Sequence, residues 1–444
     1  MDEYFRIAYH LFRLLRHTRW SREKLLKHQN QKVREIVEYA YTHVPFYHEK
    51  FKELRLKPDK IKTVEDLNII PILRRSEIQK NAEKMISNEF HSSNLKVVST
   101  SGSTGQPLFT YITKSEDAFR KAKILRANTI FGQKPRDTWV VITAPQHQAS
   151  PYRLQKLLGI YTPIPISVFD NATTQITQIG RIKPDILDGY SSSLLLLAKE
   201  AQNKNIETVK PKFIIGGAEL IDVSSRRYIE RVFDAPFYDE YACVELERLA
   251  WQCEERAEYH MDSDTVIMQF VDKDGEEAAP GETAEIVCTS LFNYAMPFIR
   301  YATRDVGRAS TETECPCGRA FPLMQMIEGR QDSLIVLPDG RVLSPLVFGW
   351  IMEFFKYYAY IDQYRVVQKR VDLFSFVIRK RNSDVHEKVM EAELVEHFKQ
   401  FLKLGASRVD FEVEFVDEIP LDKSGKLRKV VSELKGYGTL AFSS

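Results

Sequence analysis

The stretch Ser99-Thr100-Ser101-Gly102-Ser103-Thr104-Gly105-Gln106-Pro107 lies between two strand-like runs, Lys96–Val98 and Leu108–Ile112. It reads as strand, loop, strand. Glycine lets backbone amides approach an anion closely, and the hydroxyls add donors and a candidate metal ligand. The pattern G-x-x-x-x-G-K-[ST] is absent. Alone, the run also fits an ordinary surface loop, so its meaning depends on what surrounds it.

On its C-terminal side, short apolar runs bounded by Gly and Pro take turns with helical stretches. Trp139–Thr143, Ile164–Val168, Ile186–Leu187, Phe213–Ile215 and Phe237–Tyr238 read as strands, with helices at Leu194–Gln202 and Val223–Phe233. This alternation predicts an α/β layer architecture. Val266–Val271, Ala284–Thr289 and Phe298–Thr303 follow with no helix between them and predict an antiparallel β subdomain. Past Gly329-Arg330-Gln331-Asp332 comes a hairpin, Leu334–Leu337 with Val342–Leu343, around Pro338-Asp339-Gly340. A helix, strands at Tyr364–Gln368 and Leu373–Ile378, a helix from His386 to Leu402 and a last strand complete a small α+β domain. In that last strand Val409, Phe411, Val413 and Phe415 share one face. The expected division is a large domain, 1–331, built from layered α/β subdomains and the antiparallel subdomain, and a small mobile domain, 332–444. Upstream, Val33, Ile36, Val37, Ala40 and Val44 recur at helical spacing until Pro45 stops the run.

Composition narrows the function classes. Lys and Arg total 63 against 61 acidic residues, a net charge of +2 that lacks the basic excess of a nucleic-acid binder. Apolar runs such as Leu194–Ala198 fall far short of the roughly 20 residues of a membrane helix. Arg6, Arg13, Arg16 and Arg19 interrupt the N-terminal segment, so no signal peptide is expected there. Such a basic amphipathic helix either packs on the body of the protein or touches a membrane surface. Five cysteines, an odd number, do not suggest a disulfide scaffold, and a cytoplasmic protein is expected.

The loop at Ser99–Pro107 resembles the phosphate-binding loop of the adenylate-forming superfamily: acyl-CoA synthetases, peptide-synthetase adenylation domains and luciferases. Further segments follow in that family's order. Gly216-Gly217-Ala218-Glu219 stands where the family binds adenine, and Tyr241-Ala242-Cys243-Val244-Glu245 matches Y-G-x-[ST]-E at its Tyr and Glu. Tyr301-Ala302-Thr303-Arg304-Asp305 matches the segment whose Asp holds the ribose hydroxyls, and Gly329–Asp332 matches the hinge. Pro420 to Lys429 matches the terminal P-x-x-x-x-G-K motif, with Lys426 as the mobile catalytic lysine. Tyr41–Tyr47, Thr63–Leu67 and the T-R-D form at Thr303–Asp305 resemble the phenylacetate–CoA ligase branch with its capsule-biosynthesis relatives.

The resemblance implies ATP-dependent activation of a carboxylic acid to an acyl-adenylate with pyrophosphate release, then acyl transfer, with coenzyme A as the favoured acceptor. It implies Lys426, Glu245 and Thr104 as catalytic, with Glu245 holding Mg²⁺. Ser101, Gly102, Ser103, Thr104, Gly105, Gly217, Ala218, Glu219, Tyr238, Glu240, Tyr241, Asp305 and Arg330 would bind the nucleotide. His147, Tyr190 and Gly216 would line the acid pocket. Read from composition alone, Lys426 sits in a solvated basic turn. Ala242 and Val244 depart from the Y-G-x-[ST]-E pattern, and Gln106 stands where many relatives carry lysine. Other readings are an amide synthetase, an adenylyl transferase acting on a coenzyme hydroxyl, and a non-catalytic scaffold on a ligase fold.

A second constellation is Cys315-Pro316-Cys317-Gly318 with Cys253 and His260 upstream. Three thiols and an imidazole are the ligand set of a structural Zn²⁺ site. The spacing between Cys315 and Cys317 is tighter than the usual C-x₂-C, and the same residues also read as isolated thiols.

Overall fold

A computed structural model describes residues 3–99, 107–145, 153–325, 327, 329–330, 334–381, 385–402, 409–422 and 425–434. Thr104 with the rest of the 101–105 loop, and His147, lie outside the described residues. The chain forms two compact units: residues 1–137, 150–162 and 238–327, and residues 138–149, 163–237 and 328–444.

In the first unit, Val33, Ile36, Val37, Ala40 and Val44 are all buried, as their spacing predicts. The first four lie on the helix Arg22–His43, whose first turn is capped by the Ser21 hydroxyl, and Val44 is its C-cap residue. Pro45 does more than end this helix. It occupies the first turn of the next one, Pro45–Glu53, where a missing N–H costs nothing. The expected strand–loop–strand is present at its two ends, Lys96–Ser99 pairing antiparallel with Phe109–Ile112.

The antiparallel subdomain is present, with Val266–Val271, Ala284–Ser290 and Tyr301–Gly307 in order. Its third strand is displaced from the expected Phe298–Thr303. Phe298 and Ile299 enter the core instead, and Arg300 sits at φ +48, which turns the chain. Tyr301 then bridges to Leu73, whose N–H donates to the Arg300 carbonyl at 2.8 Å. Phe237–Tyr238 grows into the strand Phe237–Cys243, followed by Glu247–Gln252 and Tyr259–Met261. Charged residues along these strands hide their period in the sequence.

In the second unit, four parallel strands stand in the order Phe213–Gly217, Ile186–Tyr190, Trp139–Thr143, Pro163–Ser167. The helices Ala172–Ile182, Ser191–Asn203 and Val223–Phe233 alternate with them. Two glycines are fixed by packing: a Cβ at Gly189 would meet Ile142 at 3.0 Å, and one at Gly216 would meet Phe237 Cζ at 1.9 Å.

The C-terminal part of this unit has its own core around Phe348, Phe374, Phe376 and Phe398. Its sheet runs Asp410–Phe415, Leu373–Lys380, Ile361–Arg370, Val430–Ser432. The alternating strand expected to be last is followed by this further one, which runs parallel to Ile361–Arg370. It is three residues long and directly follows a basic turn, so the sequence carried no pattern for it. No helix among the described residues is long and apolar enough to cross a membrane.

Candidate active site and metal centre

Within the first unit, Glu245 sits buried in the turn between Phe237–Cys243 and Glu247–Gln252. Its Oε1 accepts from the Tyr301 hydroxyl at 2.8 Å and lies 3.6 Å from the Arg75 guanidinium. Arg120, from the helix Lys114–Phe131, donates to the carbonyls of Val244 at 2.7 Å and Glu245 at 3.1 Å. The turn is therefore held through its backbone, so Val244 keeps its place without the hydroxyl that the motif would supply there. A carboxylate offers several lone-pair positions, and a hard oxygen donor set suits Mg²⁺.

A second pair lies on neighbouring strands. The Tyr241 hydroxyl donates to Asp305 Oδ2 at 2.7 Å, and the Asp305 N–H donates to Thr303 Oγ1 at 3.2 Å. Burial, then the nearby Asp305 charge, pushes the Tyr241 hydroxyl well above its ordinary pKa. It therefore remains a donor that orients the carboxylate. Tyr238 has the opposite parity on its strand and stacks on Phe131 with ring centroids 4.3 Å apart. Glu240 pairs in register with Trp251.

Within the second unit, Gly216, Gly217, Ala218 and Glu219 form the carboxyl end of a parallel strand and the turn after it. Open α/β sheets place ligands at such strand ends. Ala218 holds φ +63. Glu219 joins two elements: its Oε2 accepts from the Ser192 N–H at 2.9 Å, and its Oε1 from the Leu427 N–H at 2.8 Å. Ser192 lies in the first turn of Ser191–Asn203, where helix N–H groups favour negative charge. Burial raises the Glu219 pKa.

Leu427 follows Lys426, so this contact fixes the lysine-bearing turn. Asp422 accepts from the Lys426 N–H at 3.1 Å, and the Gly425 N–H donates to the Asp422 carbonyl at 2.9 Å. The Lys426 ammonium stands 5.6 Å from the Tyr190 ring centroid. Gly425 has φ +81, and a Cβ there would lie 2.4 Å from Val168 Cγ1. Lys426, Tyr190 and Glu219 thus meet at strand carboxyl ends. Arg330 lies in the short strand Gly329–Arg330.

The candidate metal centre also belongs to the first unit. The ligand atoms of Cys253, His260, Cys315 and Cys317 all lie within 4.8 Å of one another. Cys253 Sγ is 3.6 Å from Cys315 Sγ, and Cys317 Sγ is 3.3 Å from His260 Nε2. The tight spacing is accommodated by a turn in which the Gly318 N–H donates to the Cys315 carbonyl at 2.9 Å, with Gly318 at φ +73. His260 Nδ1 lies 3.3 Å from the Phe321 carbonyl, which orients Nε2 toward the sulfurs. Burial pulls the imidazole pKa down to about 4, favouring the neutral ligand form. Three sulfurs and one nitrogen fit Zn²⁺ in a closed site.

Arg75 and Arg120 escaped the sequence reading. The helix Lys114–Phe131 buries Glu116, Arg120, Lys123 and Arg126 beside its apolar residues, so it carries no clean apolar stripe. Buried polar groups need partners, and only the fold supplies the carbonyls and carboxylates that hold them.

No family model matches the chain. The chain is 24% identical over 412 residues to the phenylacetate-coenzyme A ligase of Thermus thermophilus, covering 89% of this chain and 87% of that one. It is 23% identical over 431 residues to the protein CapK of Staphylococcus aureus, covering 93% and 90%. Among solved structures, a 2-hydroxyisobutyryl-CoA ligase in the postadenylation state superposes with TM-score 0.79 at 19% identity, covering 96% of this chain and 93% of that one. Along most of its length the chain is thus similar to phenylacetate–coenzyme A ligases and to CapK, and it shares the fold of the 2-hydroxyisobutyryl-CoA ligase.

Proposed function

We propose that the protein is an ATP-dependent acid–coenzyme A ligase. A substrate carboxylate oxygen attacks the α-phosphorus of ATP, the bond to the bridging oxygen breaks, and pyrophosphate leaves. The thiol of coenzyme A then attacks the acyl carbon, loses its proton and displaces AMP. The observation that carries this reading is the Lys426 turn, fixed by Glu219 and Asp422 at the strand ends that carry Tyr190 and Gly216.

Each residue has a physical task in this scheme. Two anions must meet, so fixed positive charge is needed where negative charge develops. Lys426 supplies a compact ammonium for it. Asp305, oriented by Tyr241, offers two acceptors to the ribose hydroxyls. Glu245, steadied by Tyr301, would hold Mg²⁺ on the phosphates. Ser101 to Gly105 would cradle the triphosphate, and Tyr190 and His147 would line the acid pocket. The zinc cluster would tie the 315–318 turn to the strand Tyr259–Met261. Residues beyond 332 would move as a cap between the two half-reactions. The reduced thiols of such a centre suit the cytoplasm.

ATP–pyrophosphate exchange across a panel of acids tests the first half-reaction, and product mass with coenzyme A or amines present tests the second. Exchange is expected with at least one acid and is expected to vanish in Glu245→Ala. Absence of exchange with every acid, together with absence of ATP binding by calorimetry, overturns the proposal in favour of a scaffold.

Gly425→Ala is a finer probe. Its Cβ cannot fit beside Val168 without moving the turn, and a displacement near 1 Å at a reacting group costs about a hundredfold in rate. We expect exchange to fall by about that factor, with ATP affinity unchanged by calorimetry. Equal losses in both would place the effect on binding instead.

A further inference from the structure

The helix Glu3–His17 buries Ile7, Leu11 and Leu14, and its His10 meets Phe119 of Lys114–Phe131 edge-on at 5.2 Å. Its outer face is not an ordinary polar one. Phe5, Tyr9 and Phe12 are 56%, 55% and 62% exposed, and their spacing of four and three residues aligns them in one stripe. Arginines lie along the stripe: the Arg13 guanidinium stands 5.6 Å from the Tyr9 ring centroid and that of Arg16 5.8 Å from the Phe12 centroid. Between Glu3 and Lys27 the chain carries five arginines and two lysines against two glutamates, although its overall charge is only +2.

Leu157, in the same unit, is also exposed, at 81%.

Contiguous exposed apolar surface marks an interaction site, and the local charge says what kind. An aromatic stripe flanked by arginines, with almost no acidic residue to repel phosphate, suits an interface that is greasy below and anionic above. We propose that the outer face of the N-terminal helix docks the protein on an anionic lipid surface. The helix lies in the plane of the membrane, Phe5, Tyr9 and Phe12 enter the headgroup boundary, and Arg13, Arg16 and Arg19 stay at phosphate level. Aromatic rings and snorkelling arginines both favour that depth. The placement does not depend on the ligase reading.

The test is sedimentation of the full-length protein with vesicles of phosphatidylcholine alone or mixed with phosphatidylglycerol, at low and high salt. Binding is expected only to the mixed vesicles and is expected to weaken as salt rises. Removing two arginines with Arg13→Gln and Arg16→Gln is expected to weaken binding about 25-fold, at about fivefold per basic residue. The triple variant Phe5→Ser, Tyr9→Ser, Phe12→Ser leaves Ile7, Leu11 and Leu14 intact and is expected to abolish binding. Its melting curve checks that it folds, and the arginine pair gives an answer if it does not. Phe354→Ser, at a phenylalanine also 56% exposed but remote in sequence, is the matched control. No binding to mixed vesicles at low salt overturns the proposal, as does binding that both helix variants retain. A dimer seen by light scattering and lost in the triple variant, without vesicle binding, overturns it in favour of a second copy of the chain.

Discussion

Lys426→Ala is expected to slow adenylate formation several hundredfold while leaving the fold intact. One preorganised electrostatic contact to developing charge contributes about 3–4 kcal/mol to a transition state, or roughly 10²–10³ in rate. The lysine-bearing turn does not depend on the side chain for its own position. Asp422 accepts from the Lys426 backbone N–H and Glu219 from that of Leu427, and both contacts survive truncation. The loss therefore falls on chemistry rather than on assembly. Exchange kinetics measure it, and a melting curve unchanged from wild type confirms the second half. Thioester formation from pre-formed acyl-adenylate should be spared, because no attack on the α-phosphorus remains to be stabilised. If exchange falls less than about tenfold, Lys426 is the solvated basic residue that composition alone suggests.

Removing the proposed zinc ligands is expected to have the largest effect on stability. Metal analysis of the wild-type protein should find one equivalent of zinc. Cys315→Ser with Cys317→Ser should remove it and lower the melting temperature by roughly 10 °C, since loss of a structural metal is among the few changes that cost several kcal/mol. The cause is local. Cys253 and His260 are buried, and in the proposed centre the cation would be what holds three sulfurs and a ring nitrogen together and ties down the 315–318 turn. Less than about half an equivalent in wild-type protein, where a closed four-ligand site should be full, removes the metal from the account.

The strands and helices with clean periodicity were legible. Val33 to Val44 gave a buried helical face, and Val223–Phe233 is a helix as expected. The Lys96–Ser99 and Phe109–Ile112 pair was readable from the glycine-rich segment between them. Elements with mixed patterns were not legible. The strand Tyr301–Gly307 was misplaced because Phe298 and Ile299 are apolar for the sake of the core rather than the sheet. The helix Lys114–Phe131 was missed because its buried face carries Arg120, Lys123 and Arg126. A buried charge has no signature in a periodicity; its partner is a carbonyl or carboxylate more than a hundred residues away.

The same division holds at the site. The sequence by itself determined which groups the protein owns: a lysine after a glycine turn, a carboxylate in Tyr241–Glu245, another in Tyr301–Asp305, three cysteines and a histidine. It did so because chemistry is written in residue types and local spacing. Only the tertiary structure decided how those groups are held. It gave Glu219 a structural task on the Lys426 turn, put Tyr301 on Glu245 and Tyr241 on Asp305, and closed Cys253, His260, Cys315 and Cys317 into one cluster. It also left three aromatic rings of the first helix facing outward. Each of these depends on which distant segments share a core, and that follows from burial summed over the whole unit rather than from any local stretch.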